Sequence, residues 1–206
     1  MRVTLLLFVG GCALAAPVAI LAGLGKLSSR RMIRGLAVSY IEFFRGTSAL
    51  VQLYWVYFAL PLIGIELGAF LSGILVLGLN SGAYGAEVVR GAIQAVPKGQ
   101  IEAAKALNLS SGLILRRIVF PQAAIMMIPS ATNLLIELLK NTSLASLITL
   151  SEMVFEGQVL RATTLRTAEI YGLLLVLYSL IARLITMGMR SLETALGKGL
   201  LAATVK

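Results

Sequence analysis

Histidine and aspartate are absent from all 206 residues, and cysteine occurs once, at Cys12. Without histidine, a Ser–His or Cys–His catalytic pair cannot be assembled. Too few soft or imidazole ligands remain for a metal site, and one cysteine builds no disulfide framework. No Gly-x-Ser-x-Gly elbow is present. Gly25-Lys26 is superficially like a phosphate-binding loop, but Ile20 stands where its first glycine belongs and Leu27 replaces Ser or Thr. These absences argue against a catalytic residue, a bound cofactor and a nucleotide site in this chain. Charge is scarce too, at 13% of residues, where a soluble domain carries about 25%.

Apolar length is what the chain has in abundance. It is 58% hydrophobic, with a mean hydropathy of +0.92. Val3 to Gly25 runs 23 residues without a charge, about 34 Å of helix and enough to cross a bilayer. Arg2 before this run, and Val9-Gly10-Gly11-Cys12 inside it, also read as a signal peptide or a lipoprotein cleavage site. The run continues well past Cys12 and further spans follow, which favours an anchor, kinked at Pro17. Gly46 to Ile65 is a second uncharged run, in which Tyr54, Trp55 and Tyr57 either pack toward the membrane or line a pathway. Leu67 to Ala86 is the third. There, Gly78 and Gly82 allow close helix contact, and Asn80, Tyr84 and Glu87 form one polar stripe.

Residues 118–151 hold only Glu137 and Lys140 as charges, and their 34 residues would make about 51 Å of helix, too long for one upright span. Pro121 and Pro129 are therefore expected to break it into an approach and a span over about residues 125–149. A polar connection over 151–169 leads to a last span, Ile170 to Met189. The fold class is all-α and polytopic, with about five membrane helices over 1–190 and a short tail over 191–206.

Eighteen Lys and Arg against nine Glu give a net charge of +9. The bases lie between apolar runs rather than in a soluble patch, so they do not indicate nucleic acid. Segments 26–45, 87–117 and 190–206 carry thirteen of them, whereas the opposite side carries Arg2, Arg161 and Arg166. By the positive-inside bias, the C-terminus and residues 97–121 face the cytoplasm and the N-terminus faces outward. Lys140 and Arg183 stay within the membrane. Arg183 either pairs with Glu87 or snorkels. Asn133, Glu137 and Lys140 share one helical face, continued by Asn141 and Thr142. Either Glu137 and Lys140 form a structural pair, or this face lines a polar substrate pathway.

Residues 97–121, PKGQIEAAKALNLSSGLILRRIVFP, are a charged island between the apolar runs. Pro97 and Gly99 punctuate its entry, and Glu102 to Leu107 reads as a short helix of strong formers. Asn108 stands where a left-handed residue would close that helix, and Ser110 or Ser111 is placed to cap the next. The reading is helix, corner, helix.

This island resembles the EAA loop of bacterial ABC importer permeases. Glu102, Ala103, Ala104, Ile118 and Pro121 fall in the family's register, while Asn108 replaces its glycine and Phe120 its leucine. The resemblance covers nearly the whole chain and narrows to permeases of the polar-amino-acid type. It runs through Arg45-Gly46-Thr47-Ser48-Ala49-Leu50-Val51-Gln52-Leu53, Ala83-Tyr84 with Glu87 and Arg90-Gly91, Pro97 with Gly99-Gln100, and Lys140-Asn141-Thr142-Ser143-Leu144. It implies a type I importer fold in the bacterial inner membrane and two permease subunits, of the same or a sister chain. It further implies cytoplasmic ATP-binding subunits and an extracytoplasmic solute-binding protein. Gly99, Glu102, Ala103, Ala104 and Asn108 would couple to the ATPase. The wording Arg-Gly-Thr-Ser-Ala-Leu is similar to permeases for ectoine-like compatible solutes. Family members usually start somewhat earlier, which implies a short outer segment ahead of Met1. A secondary transporter or channel would need internal repeats or an acidic relay, and neither is evident.

Overall fold

Small residues set how the first long helix meets the third crossing. In the computed structural model, which describes the backbone of residues 1–204 and the side chains of 1–197, α1 spans Arg2–Lys26 and α4 spans Ala69–Ala95. A Cβ added at Gly78 would lie 2.9 Å from Leu14, one at Gly82 2.9 Å from Val18, and one at Gly23 2.8 Å from the Ala86 carbonyl oxygen. The backbones approach closely because these positions carry no side chain. Contacts advance together along both helices, so α1 and α4 run parallel. α1 continues through Pro17 as one helix.

Two parallel crossings require a return between them. α2 (Arg31–Gly46) is followed, across a 100° bend, by α3 (Ala49–Tyr54). α3 passes into a π turn over Trp55–Ala59 and a 3₁₀ turn over Leu60–Ile63. Gly64, at φ 86°, closes it. The second span expected over 46–65 is thus shorter and less regular than a full helix: 15 residues give about 22 Å at helical rise. Among the described residues, four helices are long and apolar enough to cross a membrane, or up to five when the bent pair counts as one span.

After the corner come α5 (Lys98–Ala106), α6 (Ser111–Ile114), a π turn over Leu115–Val119 and α7 (Phe120–Asn141). The expected break at Pro121 and Pro129 does not occur. Pro121 sits in the first turn of α7, directly after the π turn, where the hydrogen-bond register shifts and its missing N–H costs little. Pro129 lies inside α7, exposed on its surface. α7 tightens into a 3₁₀ stretch, Thr142–Ile148, and α8 (Met153–Thr164) leads to α9 (Thr167–Thr204). α9 continues unbroken past residue 190, so the expected tail begins as helix. The Lys198 side chain and all of Lys206, both counted in the charge bias, lie outside the described residues.

One apolar cluster, with Leu7, Leu53, Val76, Leu77 and Leu138 at its centre, joins α1, α3, α4 and α7. A second, around Ala92, Val96, Ala104, Ile114 and Val119, fixes the corner to the ends of α4 and α7.

Candidate functional site

The corner is built by its hydrogen bonds. The Asn108 N–H donates to the Lys105 carbonyl at 2.9 Å, and the Leu109 N–H donates to the Ala104 carbonyl at 3.2 Å. This pair of bonds is the Schellman motif, with Asn108 at its left-handed position, φ 54°. The left-handed residue expected from sequence is where it should be. Ser110 holds the cap position of α6, but its side chain makes no capping bond.

Ala104 is buried, at 2% exposed, against the corner's own apolar cluster. Its small size therefore serves packing inside this chain. At about 100° per residue, Gly99, Glu102, Ala103 and Ala106 lie on the flank of α5 turned away from Ala104, with Leu107 beside them at the helix end, and all five are exposed. Leu107, 75% exposed beside the left-handed Asn108, carries no signal in the sequence that separates it from a buried leucine. This flank is small-residued, with one acid and one protruding leucine.

Above the corner, Glu87 gathers three helices. Lys26 Nζ of α1 donates to Glu87 Oε1 at 2.6 Å, and Arg90 donates to Oε2 at 2.8 Å. Arg45, at the end of α2, reaches Oε1 at 4.0 Å and lies 5.4 Å over the Tyr84 ring. Asn80 donates to the Phe44 carbonyl and to Gln52 Oε1. The stripe Asn80, Tyr84 and Glu87 therefore binds the bent α2–α3 element. Arg183 does not pair with Glu87; among the described residues it forms no ion pair, and it lines an open groove with Thr186, Met187 and Arg190.

At the opposite end of α7, Asn133, Glu137 and Lys140 are all exposed on one face, and no Glu137–Lys140 salt bridge forms among the described residues. The internal pair that sequence left open is not made. Asn141 is half-buried, and Thr142 is buried, donating to the Leu139 carbonyl at 2.6 Å. Lys140 opens onto a cavity of about 270 Å³ bounded by Ser143, Val154, Tyr171 and Tyr178.

Behind that cavity lies a network that the sequence did not reveal. Glu152 is fully buried, accepts the Phe155 N–H at 2.9 Å as the cap of α8, and accepts the Tyr178 hydroxyl at 3.2 Å. Thr4 of α1 accepts the neighbouring Met153 N–H at 3.0 Å. Burial raises the Glu152 carboxyl above the usual carboxylate range, against the lowering pull of the backbone N–H groups and Tyr178. Its partners sit 149 and 26 residues apart from it or its neighbour, so no local pattern betrays them.

Residues 15–194 match the model of the binding-protein-dependent transport system inner membrane component family. A probable amino-acid ABC transporter permease of Sinorhizobium fredii is 48% identical over 179 residues, covering 84% of this chain and 75% of that protein. A putative glutamine transport system permease of Rickettsia bellii is 40% identical over 176 residues, covering 82% and 81%. The crystal structure of an amino acid ABC transporter with histidines superposes at a TM-score of 0.88 with 31% identity, covering 95% of this chain and 91% of that one.

Proposed function

This chain belongs to the inner-membrane components of binding-protein-dependent transport systems, and from that premise we propose how it works. It is a multi-pass ABC importer permease with no ATPase site of its own. Its corner faces the cytoplasm, its N-terminus faces outward, and an ATP-binding subunit docks on α5. The observation that carries the docking assignment is the exposed flank Gly99, Glu102, Ala103, Ala106 and Leu107. Small residues let a partner surface come close, Leu107 fills a socket in it, and Glu102 meets a basic group or backbone donor. Asn108 holds the angle at which that helix is presented, while Ala104 anchors it to α4 and α7 from beneath.

The substrate class follows from Lys140 and its surroundings. Ionisable side chains facing hydrocarbon are costly, so the face with Asn133, Glu137 and Lys140 is covered by a second permease, and substrate passes along it. Lys140 supplies a cation for a carboxylate, and Glu137 supplies an anion for an ammonium on the same face. Asn141 and Thr142 continue this face at its end, with Thr142 fixing the backbone rather than touching solute. Zwitterionic polar amino acids fit this arrangement, and the relatives' amino-acid and glutamine permeases support it. The narrower reading, ectoine-like compatible solutes delivered by an external binding protein, is supported by the wording of Arg45 to Leu50.

Co-purification of the ATP-binding subunit tests the docking assignment. A β-branched residue in the left-handed region costs about 1–2 kcal/mol, so Asn108→Val is expected to weaken association about 5- to 30-fold. Leu107→Arg is expected to do the same by blocking the socket, whereas Asn108→Gly keeps wild-type association. Wild-type recovery with both Asn108→Val and Leu107→Arg contradicts docking at this corner.

A further inference from the structure

α2 presents three flanks, and one of them packs against the body of the chain. Ile41 and Ala37 pack against the body of the chain, and the Tyr40 hydroxyl donates to the Leu79 carbonyl. At about 100° per residue, Met32, Leu36 and Phe43 converge on a second flank. They are 82%, 73% and 60% exposed. The remaining flank carries Arg31 and Arg34, with Arg30 just ahead of the helix. Glu42, the one acid on α2, is engaged by Lys26 at 3.7 Å. Among the described residues, none of Arg30, Arg31 and Arg34 has a carboxylate within salt-bridge distance. The apolar flank runs into an open cavity of about 600 Å³ in the elbow between α2 and α3, lined by Phe43, Val51, Trp55, Leu60, Leu75 and Leu79. A short helix bent 100° from the next segment, apolar on one side and basic on the adjacent one, has the geometry of a helix lying in a membrane interface.

We propose that α2 and the α2–α3 elbow form a binding site for anionic phospholipid, with acyl chains in the elbow and on Met32, Leu36 and Phe43 and the headgroup phosphate at Arg30, Arg31 and Arg34. Unneutralised arginines beside an apolar trough match the charge and shape of an acidic lipid. The inference rests on the multi-pass membrane reading and not on the substrate or the docking of an ATPase.

Trp55 is the only tryptophan in the chain and lines the elbow, so its fluorescence reports on the site. The full chain is placed in phosphatidylcholine nanodiscs doped with phosphatidylglycerol or phosphatidylcholine bearing brominated acyl chains. Each basic residue at a membrane surface favours anionic lipid about five-fold. Brominated phosphatidylglycerol is therefore expected to quench Trp55 at no more than about one-fifth of the mole fraction that brominated phosphatidylcholine requires, a preference that added salt erodes. Arg30→Gln, Arg31→Gln and Arg34→Gln together are expected to abolish the preference while leaving quenching by phosphatidylcholine unchanged. Should that variant misfold, the salt titration of the wild-type chain decides the same question. Equal quenching by both lipids overturns the proposal, as does a preference that survives salt or the triple substitution. No quenching by either lipid overturns it too, and assigns the elbow to a second copy of the chain instead.

Discussion

Two charged residues, Glu152 and Lys140, carry the sharpest consequences at the scale of single side chains. Burial holds the Glu152 proton more tightly in the folded chain than in the unfolded one. The sign follows from linkage: this group's contribution to stability grows as pH falls from neutrality through its raised pKa, and levels off below the ordinary carboxylate pKa. Glu152→Gln is expected to remove that acid-side gain while retaining an acceptor for the Phe155 N–H. Thermal unfolding midpoints of both forms between about pH 7 and pH 4, close to the ordinary carboxylate range, check it. Identical profiles would show that Glu152 titrates normally. Glu137 is exposed and makes no salt bridge with Lys140 among the described residues, so replacing Lys140 strands no paired buried carboxylate. Lys140→Met is expected to lower uptake at least about tenfold, the factor that 1.4 kcal/mol represents, with assembly and basal ATPase activity intact. Uptake restored by removing Glu137 as well would assign the two residues a purely structural role.

Elements differ in how far the sequence exposes them. The corner was legible because all its determinants are local: strong helix formers, then Asn108, then the bonds of Asn108 and Leu109 back to Lys105 and Ala104. The close approach of α4 was legible from Gly78 and Gly82, though not the identity of α1 as its partner. Other features depend on distance in the chain. Glu87 finds Lys26 across 61 residues, and nothing near Glu87 distinguishes Lys26 from Arg183 as its partner. Pro121 misled because a π turn ahead of it absorbs its missing donor, and no periodicity announces such a turn, whereas Pro129 sits inside α7 without ending it. Parallel packing of α1 on α4 makes a further prediction. Gly23→Ala puts a methyl 2.8 Å from the Ala86 carbonyl oxygen, a backbone atom that cannot rotate away. Overpacking of that kind costs about 1–3 kcal/mol, seen as a lower thermal midpoint. Gly35→Ala, on the exposed side of α2 with nothing within 4 Å, is expected to leave the midpoint unchanged or raise it. Equal effects from the two substitutions would contradict the close α1–α4 seam.

For the whole molecule, composition and apolar run lengths already pointed to a polytopic all-α membrane protein, because apolar length is itself the physical requirement for crossing a bilayer. The second crossing was less legible: a run without charge from Gly46 to Ile65 does not say that α2 turns through 100° before it. Parallel α1 and α4 nevertheless demand a return between them, and the irregular Ala49–Ile63 segment supplies it. Which residues meet the ATPase and the solute depends on partners, and a single chain shows only the surfaces it leaves open for them. The central claim is that this chain is a passive path whose energy arrives through its corner. Solute uptake into proteoliposomes holding the chain with its permease and ATP-binding partners tests this most directly. Uptake is predicted only with ATP on the corner side and the binding protein on the other, and none from the chain alone under an imposed ion gradient. Gradient-driven uptake by the chain alone would contradict the account.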